Sequence, residues 1–333
     1  MRIVLNNNIN NDLEVHFRVK KKKIKIGVVG VGHLGNYHLQ KYSKLEVCEI
    51  AAVADTFVDR AKKAAEIYNC TPFSDYKAML GKVDAVSIAV PTSGHFEVSR
   101  DFLSAGTDVL IEKPICESLE EADELIELAG KNSLILQIGF VERFNPAIMA
   151  MENVIKKPMF IEAHRLHPFF ERGTDVDVIL DLMIHDLDII LKFVNAPITG
   201  VEAVGVPILS DKIDISNVRI SFATGCIANV TASRISAKTM QKIRFFGAEG
   251  YHAVDCQKRE IVSLSKKTNE TGQQQIIQNN IEVGSHDPLE EEIRSFINTV
   301  SNRSLPFVSG EEARKSLELA LDIIKKMKVA EVV

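Results

Sequence analysis

Through the first half of the chain, short apolar runs alternate with amphipathic stretches. Apolar runs of strand length occupy 24–30, 47–55, 85–90, 108–112 and 134–139. Between them, 34–44, 58–68, 96–105 and 119–131 place apolar residues three and four apart, the spacing of a helix with one buried face. Strands alternating with helices of this length predict a parallel, doubly wound α/β sheet with helices on both faces. Right-handed crossovers then bring every strand's C-terminal end to one edge.

After residue 145 the pattern changes. A strand over 158–167 and a long helix over 175–193 are followed by β-like runs at 201–208, 218–222, 226–233, 242–246, 251–255 and 260–265. Thr224-Gly225 and Glu249-Gly250 supply turns between some of them. The polar stretch 273–280 reads as a mobile hairpin or loop, and helices over 288–302 and 310–328 finish the pattern. Successive strands after a single crossover helix predict an α+β domain, its open sheet mainly antiparallel or mixed, with helices on one face. The expected organisation is a Rossmann domain over 24–145 and a second domain over 146–333. Residues 1–23, Asn-rich and ending in four lysines, are expected to be a tail.

The first chemistry lies in Gly30-Val31-Gly32-His33-Leu34-Gly35. This G-x-G-x-x-G follows a predicted strand, opens a predicted helix and is followed by Asp55 at the end of the next strand. Gly30 allows a tight turn, Gly32 a close approach of backbone to a diphosphate, and Gly35 close packing of helix on strand. The helix N-terminus offers unpaired N–H groups to phosphate. Asp55 accepts hydrogen bonds from ribose hydroxyls and repels a 2′-phosphate, so the expected cofactor is NAD rather than NADP.

Composition narrows the rest. With 45 acidic and 40 basic residues, the chain carries a net charge of -5, which argues against a nucleic-acid partner. The five cysteines have no C-x-x-C pair, so reduced thiols in a cytoplasmic protein are expected, with no disulfide framework and no zinc site. No apolar run approaches the roughly 20 residues of a membrane span, and the start shows no apolar stretch of signal-peptide length.

Four segments match a known pattern: GVVGVGHLGNYH (27–38), AVPTSGH (89–95), IEKP (111–114) and DLMIHDLD (181–188). Together they resemble the Gfo/Idh/MocA oxidoreductases. The resemblance implies a Rossmann domain followed by an open-sheet domain, with hydride transfer between a sugar-like secondary alcohol and a nicotinamide cofactor where they meet. It implies cofactor contacts from His33, Leu34, Arg60, Val90, Pro91, Thr92, His95, Glu112 and Lys113, beside the glycines and Asp55. It also implies a homodimer or homotetramer built on the strand surface of the second domain. The stretches 139–147, 164–190, 204–207 and 231–236 resemble members that oxidise the 3-hydroxyl of UDP-N-acetylglucosamine, a step toward a diamino sugar of lipid A.

Oxidising a secondary alcohol needs a proton acceptor and a held hydroxyl. Lys113 follows an apolar strand and precedes Pro114; burial beside a nicotinamide is expected to lower its pKa. At 100° per residue, Asp177, Asp181, His185 and Asp188 share one stripe of an otherwise apolar helix, so that stripe is expected to face a cavity or polar partners. The expected catalytic set is Lys113, Asp181 and His185, with His185 as proton acceptor, although Lys113 and His185 can exchange roles. One histidine among aspartates is a poor metal set, and no metal is expected.

His164, Arg165, His167 and Arg172 cluster before this helix, and Arg234 follows on a later strand. Basic groups concentrated in an acidic chain predict an anion pocket suited to a nucleotide-sugar diphosphate, alongside Asp181 and His185. Phe169 and Phe170 are positioned to shelter a base or sugar. Pairing of these basic groups with nearby acids such as Glu162, Glu171 or Asp175 is the competing reading. The other functional readings are a dehydrogenase of another sugar, inositol or UDP-sugar acid, a dinucleotide-sensing regulator without turnover, and a scaffold. The present Lys113, Asp181 and His185 argue against the regulator, and the buried polar stripe against the scaffold.

Overall fold

The computed structural model describes residues 23–169 and 176–329. The predicted tail, save Lys23, lies outside them, as do Phe170 and Arg172.

The first layer system runs β1 (Ile24–Val29), α1 (His33–Tyr42), β2 (Cys48–Ala54), α2 (Val58–Tyr68), β3 (Thr71–Phe73), β4 (Ala85–Ile88), α3 (His95–Ser104), β5 (Asp108–Glu112), α4 (Leu119–Lys131) and β6 (Leu136–Gly139). All pairings in this sheet are parallel, in the order β3-β2-β1-β4-β5-β6. This is the doubly wound order that reverses between β1 and β4. The fourfold burial of Ala85–Ile88 reflects a strand covered on both faces. The three-residue β3 is too short and too exposed to leave an apolar signature, and the sequence pattern misses it.

The chain continues with α5 (Pro146–Met151), β7 (Pro158–Leu166), a wide turn of π-helix (Ile179–Met183) and α6 (Ile184–Val194). Then come β8 (Ile198–Val206), β9 (Ile215–Phe222), β10 (Ile227–Ser233), β11 (Met240–Gly247), β12 (Gly250–Asp255), β13 (Glu260–Thr268) and β14 (Gln274–Asn279). Finally α7 (Pro288–Asn302) and α8 (Gly310–Lys326) lead to the short β15 (Lys328–Val329). The second sheet is mixed, in the order β14-β13-β12-β11-β7-β10-β9-β8-β15. Of the two readings of 273–280, hairpin or loop, the structure takes the hairpin: β14 pairs antiparallel with β13, and its mostly exposed side chains at the sheet edge need no apolar alternation.

The inner face of the second sheet carries Ile161, Ala163, Val230 and Phe245, with Phe193 of α6 packed on Phe245. A cut at residue 145 does not separate two cores. One apolar cluster joins Ile88, Phe102 and Ile111 to Leu187, Ile220, Phe245 and Leu317. On the other side of the first sheet, Ile293, Phe296 and Ile297 of α7 pack with Ile26, Leu39 and Tyr42. Each such buried side chain contributes about 1.5–3 kcal/mol, so α7 belongs energetically to the first sheet although it follows the second in sequence. Lys41 to Asp287 (3.1 Å) and Lys44 to Glu290 (2.9 Å) frame the contact. Among the described residues, no helix is long and apolar enough to cross a membrane.

Candidate active site

The glycine loop, Asp55, the 90–92 turn and Lys113 all follow C-terminal strand ends of the first sheet, along one edge. Gly30 has φ +82°, and a Cβ there would lie 2.6 Å from the Ala89 carbonyl oxygen. A Cβ on Gly35 would overlap the Gly30 carbonyl oxygen, so helix and strand turn meet backbone to backbone. Nothing lies within 4 Å of a Cβ built on Gly32. No side chain caps α1 at Gly32, and His33 and Leu34 are exposed in its first turn. The start of α1 therefore presents backbone N–H groups to open space, as a diphosphate requires.

A cavity of about 530 Å³ adjoins it, lined by Gly32, His33, Asn36, Arg60 and Lys63 among others. Arg60 lies over the Phe57 ring, 4.3 Å from its centroid. Asp55 is buried and held by two backbone donors, Val31 N–H at 2.9 Å and Phe57 N–H at 2.8 Å. Each carboxylate oxygen keeps acceptor capacity for a ribose hydroxyl. The residues present fit NAD: N–H groups for the diphosphate and Asp55 for a ribose.

Val90, Pro91 and Thr92 form the turn after β4, with Pro91 exposed. His95 and Glu112, expected at the cofactor, are turned elsewhere. His95 is buried, with Nδ1 2.8 Å from the Pro114 carbonyl and Nε2 2.9 Å from the Val90 carbonyl. It braces the two loops against each other and has no ring nitrogen left for a ligand. The Glu112 carboxyl points back to His38, at 2.9 Å.

Lys113 Nζ donates to the Asp181 carbonyl oxygen at 2.6 Å and lies 3.8 Å from Asp181 Oδ1. This contact ties the end of β5 to the π turn. The turn also breaks the predicted stripe. One extra residue per turn over Ile179–Met183 abolishes the 100° spacing, and the four polar groups part. Asp177 accepts from Ile213 N–H at 2.9 Å. Asp188 is buried against Arg143 (3.7 Å) and the Ser316 hydroxyl (3.3 Å). Asp181 and His185 stay partly exposed. His185 Nδ1 is buried without a hydrogen-bond partner among the described residues, and Phe140 meets the ring edge-on at 6.2 Å. Burial, with the positive charges of Lys113 and Arg165, holds His185 well below the usual histidine range. A neutral imidazole beside a lysine can accept a proton from a hydroxyl.

Two arginines of the expected anion pocket, Arg165 and Arg234, are engaged elsewhere. Arg165 is buried and forks onto Asp186, with Nε and Nη2 each at 3.0 Å, while Nη1 reaches Glu142 at 3.2 Å. Arg234 is buried on Asp214, with Nε at 2.9 Å, and donates to the Val176 carbonyl at 2.9 Å. Among the described residues the acidic partners are Asp186, Glu142 and Asp214; Glu171 and Asp175 lie outside those residues. Pleating puts His164 on the opposite face of β7 from Arg165. His167, at the end of β7, has Nδ1 2.6 Å from the Pro168 carbonyl. Arg172 lies outside the described residues.

Sequence reasoning passed over His38, Glu142, Arg143 and Glu292. A signal existed for Glu292, which stands four residues before Phe296 on the apolar face of α7. His38, three residues beyond Gly35, shares the buried side of α1.

Comparison with known proteins gives a consistent result. Residues 24–140 match the NAD-binding Rossmann fold of the GFO/IDH/MocA oxidoreductase family, and 155–252 match that family's C-terminal domain. UDP-N-acetylglucosamine 3-dehydrogenase of Acidithiobacillus ferrooxidans is 36% identical over 302 residues, covering 90% of this chain and 96% of that protein. A solved structure of that enzyme superposes with a TM-score of 0.85, covering 92% of this chain and 98% of the other at 36% identity. Myo-inositol 2-dehydrogenase of Thermotoga maritima is 24% identical, covering 89% of this chain and 94% of its own.

Proposed function

Because the chain belongs to the GFO/IDH/MocA oxidoreductases, we propose that it oxidises the 3-hydroxyl of UDP-N-acetylglucosamine to the 3-keto sugar with NAD. The observation that carries the chemistry is the meeting of Lys113 with the turn bearing Asp181 and His185, at the edge where the glycine loop ends. The relative at 36% identity supports the choice of sugar. Bound NAD supplies the hydride acceptor. His185, kept neutral by its surroundings, takes the hydroxyl proton, and Lys113 holds the hydroxyl oxygen while anchored on Asp181. Asp181 orients the lysine and offsets its charge. Arg165 and Arg234 are paired internally, so neither is proposed to meet the diphosphate.

The test is incubation with UDP-N-acetylglucosamine and NAD, followed at 340 nm with a carbonyl trap to draw off the ketone. NADH formation that needs the UDP conjugate is expected. Turnover of free N-acetylglucosamine or inositol instead would overturn the substrate and leave the cofactor standing.

We also propose self-association through the outer face of the second sheet. Phe160, Phe246 and Tyr251 stack there, with centroids 5.6 and 5.1 Å apart, beside the Arg244–Glu162 pair at 2.7 Å. Sedimentation of the wild type against Phe246→Asp tests this: a dimer or tetramer that dissociates in the variant is expected.

A further inference from the structure

Behind the strand end that carries Lys113 lies a second group of ionisable side chains, nearly sealed from solvent. α1 contributes His38 and Tyr42, β4 contributes Ser87, β5 contributes Glu112 and α7 contributes Glu292. His38, Ser87 and Glu292 have no exposed surface, Tyr42 only 1%, and the Glu112 side chain 12%. A ring nitrogen of His38 and carboxyl oxygens of Glu112 and Glu292 lie within 4.8 Å of one another. Gly139 makes room, since a Cβ there would press to 3.2 Å on the Glu112 carboxyl.

The hydrogen bonds in this group have a direction. Tyr42 Oη is 2.7 Å from Ser87 Oγ, Ser87 Oγ is 3.2 Å from His38 Nδ1, and His38 Nε2 is 2.9 Å from Glu112 Oε1. A carboxylate only accepts, so His38 donates through Nε2 to Glu112. With a neutral ring, Nδ1 then accepts from Ser87, and Ser87 accepts from Tyr42. Every member is satisfied with one charge, on Glu112. Glu292 alone is left over: neither of its oxygens has a hydrogen-bond partner. Two carboxylates this close in a buried site cannot both be ionised.

We propose that Glu292 is protonated and donates a hydrogen bond to Glu112, so that α7 braces from behind the strand end that holds Lys113. Glu292 is thereby a positioning residue, and its effect on turnover rests on the catalytic reading of Lys113 above. Burial and the Glu112 charge push Glu292 well above the usual carboxylate range. Burial also raises Glu112, but the hydrogen bond from His38 and the positive charge of Lys113 outweigh it and leave Glu112 below its ordinary value. His38 and Tyr42 also face Glu292, and Lys113 and His95 act on the pair through Glu112.

Two variants test the proposal. In Glu292→Gln an amide N–H donates to Glu112 at every pH, while Glu292→Ala removes the donor. The unfolded chain releases the Glu292 proton near the ordinary value of about 4.3, and the folded chain keeps it to higher pH. The folded state thus binds the extra proton, and wild-type stability falls as pH rises through the interval between the two values. E292Q lacks that dependence. Its Tm is expected to gain on the wild type by at least about 3 °C between about pH 5 and about pH 8. An infrared band of a protonated carboxyl, present in the wild type near neutral pH and missing in E292Q, reads the same proton directly. E292A is expected to lose about tenfold in kcat, and E292Q to restore it.

A Tm difference that does not change with pH, together with no such band, overturns the proposal. So does a divalent metal held stoichiometrically by the wild type and lost in E292Q, which would make the same three side chains ligands. If Lys113→Ala leaves turnover intact while the pH-dependent Tm gain persists, the catalytic reading fails and the buried proton stands.

Discussion

The glycine loop after β1 and the basic strand β7 both carry residue types suited to ligand binding, yet the fold treats them oppositely. The loop opens onto empty space at Gly32, while β7 turns Arg165 inward to Asp186 and Glu142. A glycine acts through its backbone, whose course is set by the strand and helix on either side. An arginine acts at the end of a long side chain, and the nearest acid in three dimensions decides where it goes. Asp186 is 21 residues from Arg165 in sequence and Glu142 is 23.

The largest effects are expected at the site between these regions. His185→Asn and Lys113→Ala should each lower kcat/KM by about 10²–10⁴-fold with little change in melting temperature. Since burial and two cations hold His185 below its ordinary range, the wild-type acid limb of kcat/KM should lie below about pH 6.5. A limb above that value would mean that His185 is protonated in the free enzyme and is not the acceptor.

Arg165→Met separates the two regions most sharply. Leaving Asp186 buried without its partner should cost about 3–5 kcal/mol, measured by urea unfolding. A folded variant whose sole defect is a raised KM for the UDP-sugar would return Arg165 to the anion pocket and erase the contrast.

Within the loop, two glycines should part company. Gly35→Ala forces a Cβ into the Gly30 carbonyl and should destabilise by about 1–3 kcal/mol. Gly32→Ala meets nothing among the described residues, so its melting temperature should hold while NAD binding weakens in calorimetric titration. Equal losses of stability would mean that both glycines serve packing.

The smallest expected effect belongs to Asp55→Ala. Losing the ribose acceptor should weaken NAD about tenfold, or about 1.4 kcal/mol, and narrow the preference over NADP. Unchanged binding of both cofactors would remove Asp55 from the ribose role.

The helix before α6 shows where sequence legibility ended. Its apolar content and the pairing of Asp181 with His185 were readable, but the π turn was not. That turn follows from Lys113 taking the Asp181 carbonyl and from Ile213 docking on Asp177. His95 shows the same limit, since its two carbonyl partners are 5 and 19 residues away. Glu292 was visible as an acid on an apolar face, but its partners lie in α1 and β5, far away along the chain.

Periodicity and glycine spacing by themselves determined the doubly wound sheet, the mixed sheet after it and the turn that receives a diphosphate. These depend on neighbours within a few residues, where the repeat of strand or helix dictates what faces what. Tertiary structure alone decided which charges meet ligand and which meet one another. It sent Arg165, Arg234, Asp188 and Glu112 inward, because a buried charge must find a partner and the nearest one lay on another element. It left Lys113, Asp181 and His185 together at the strand-end edge.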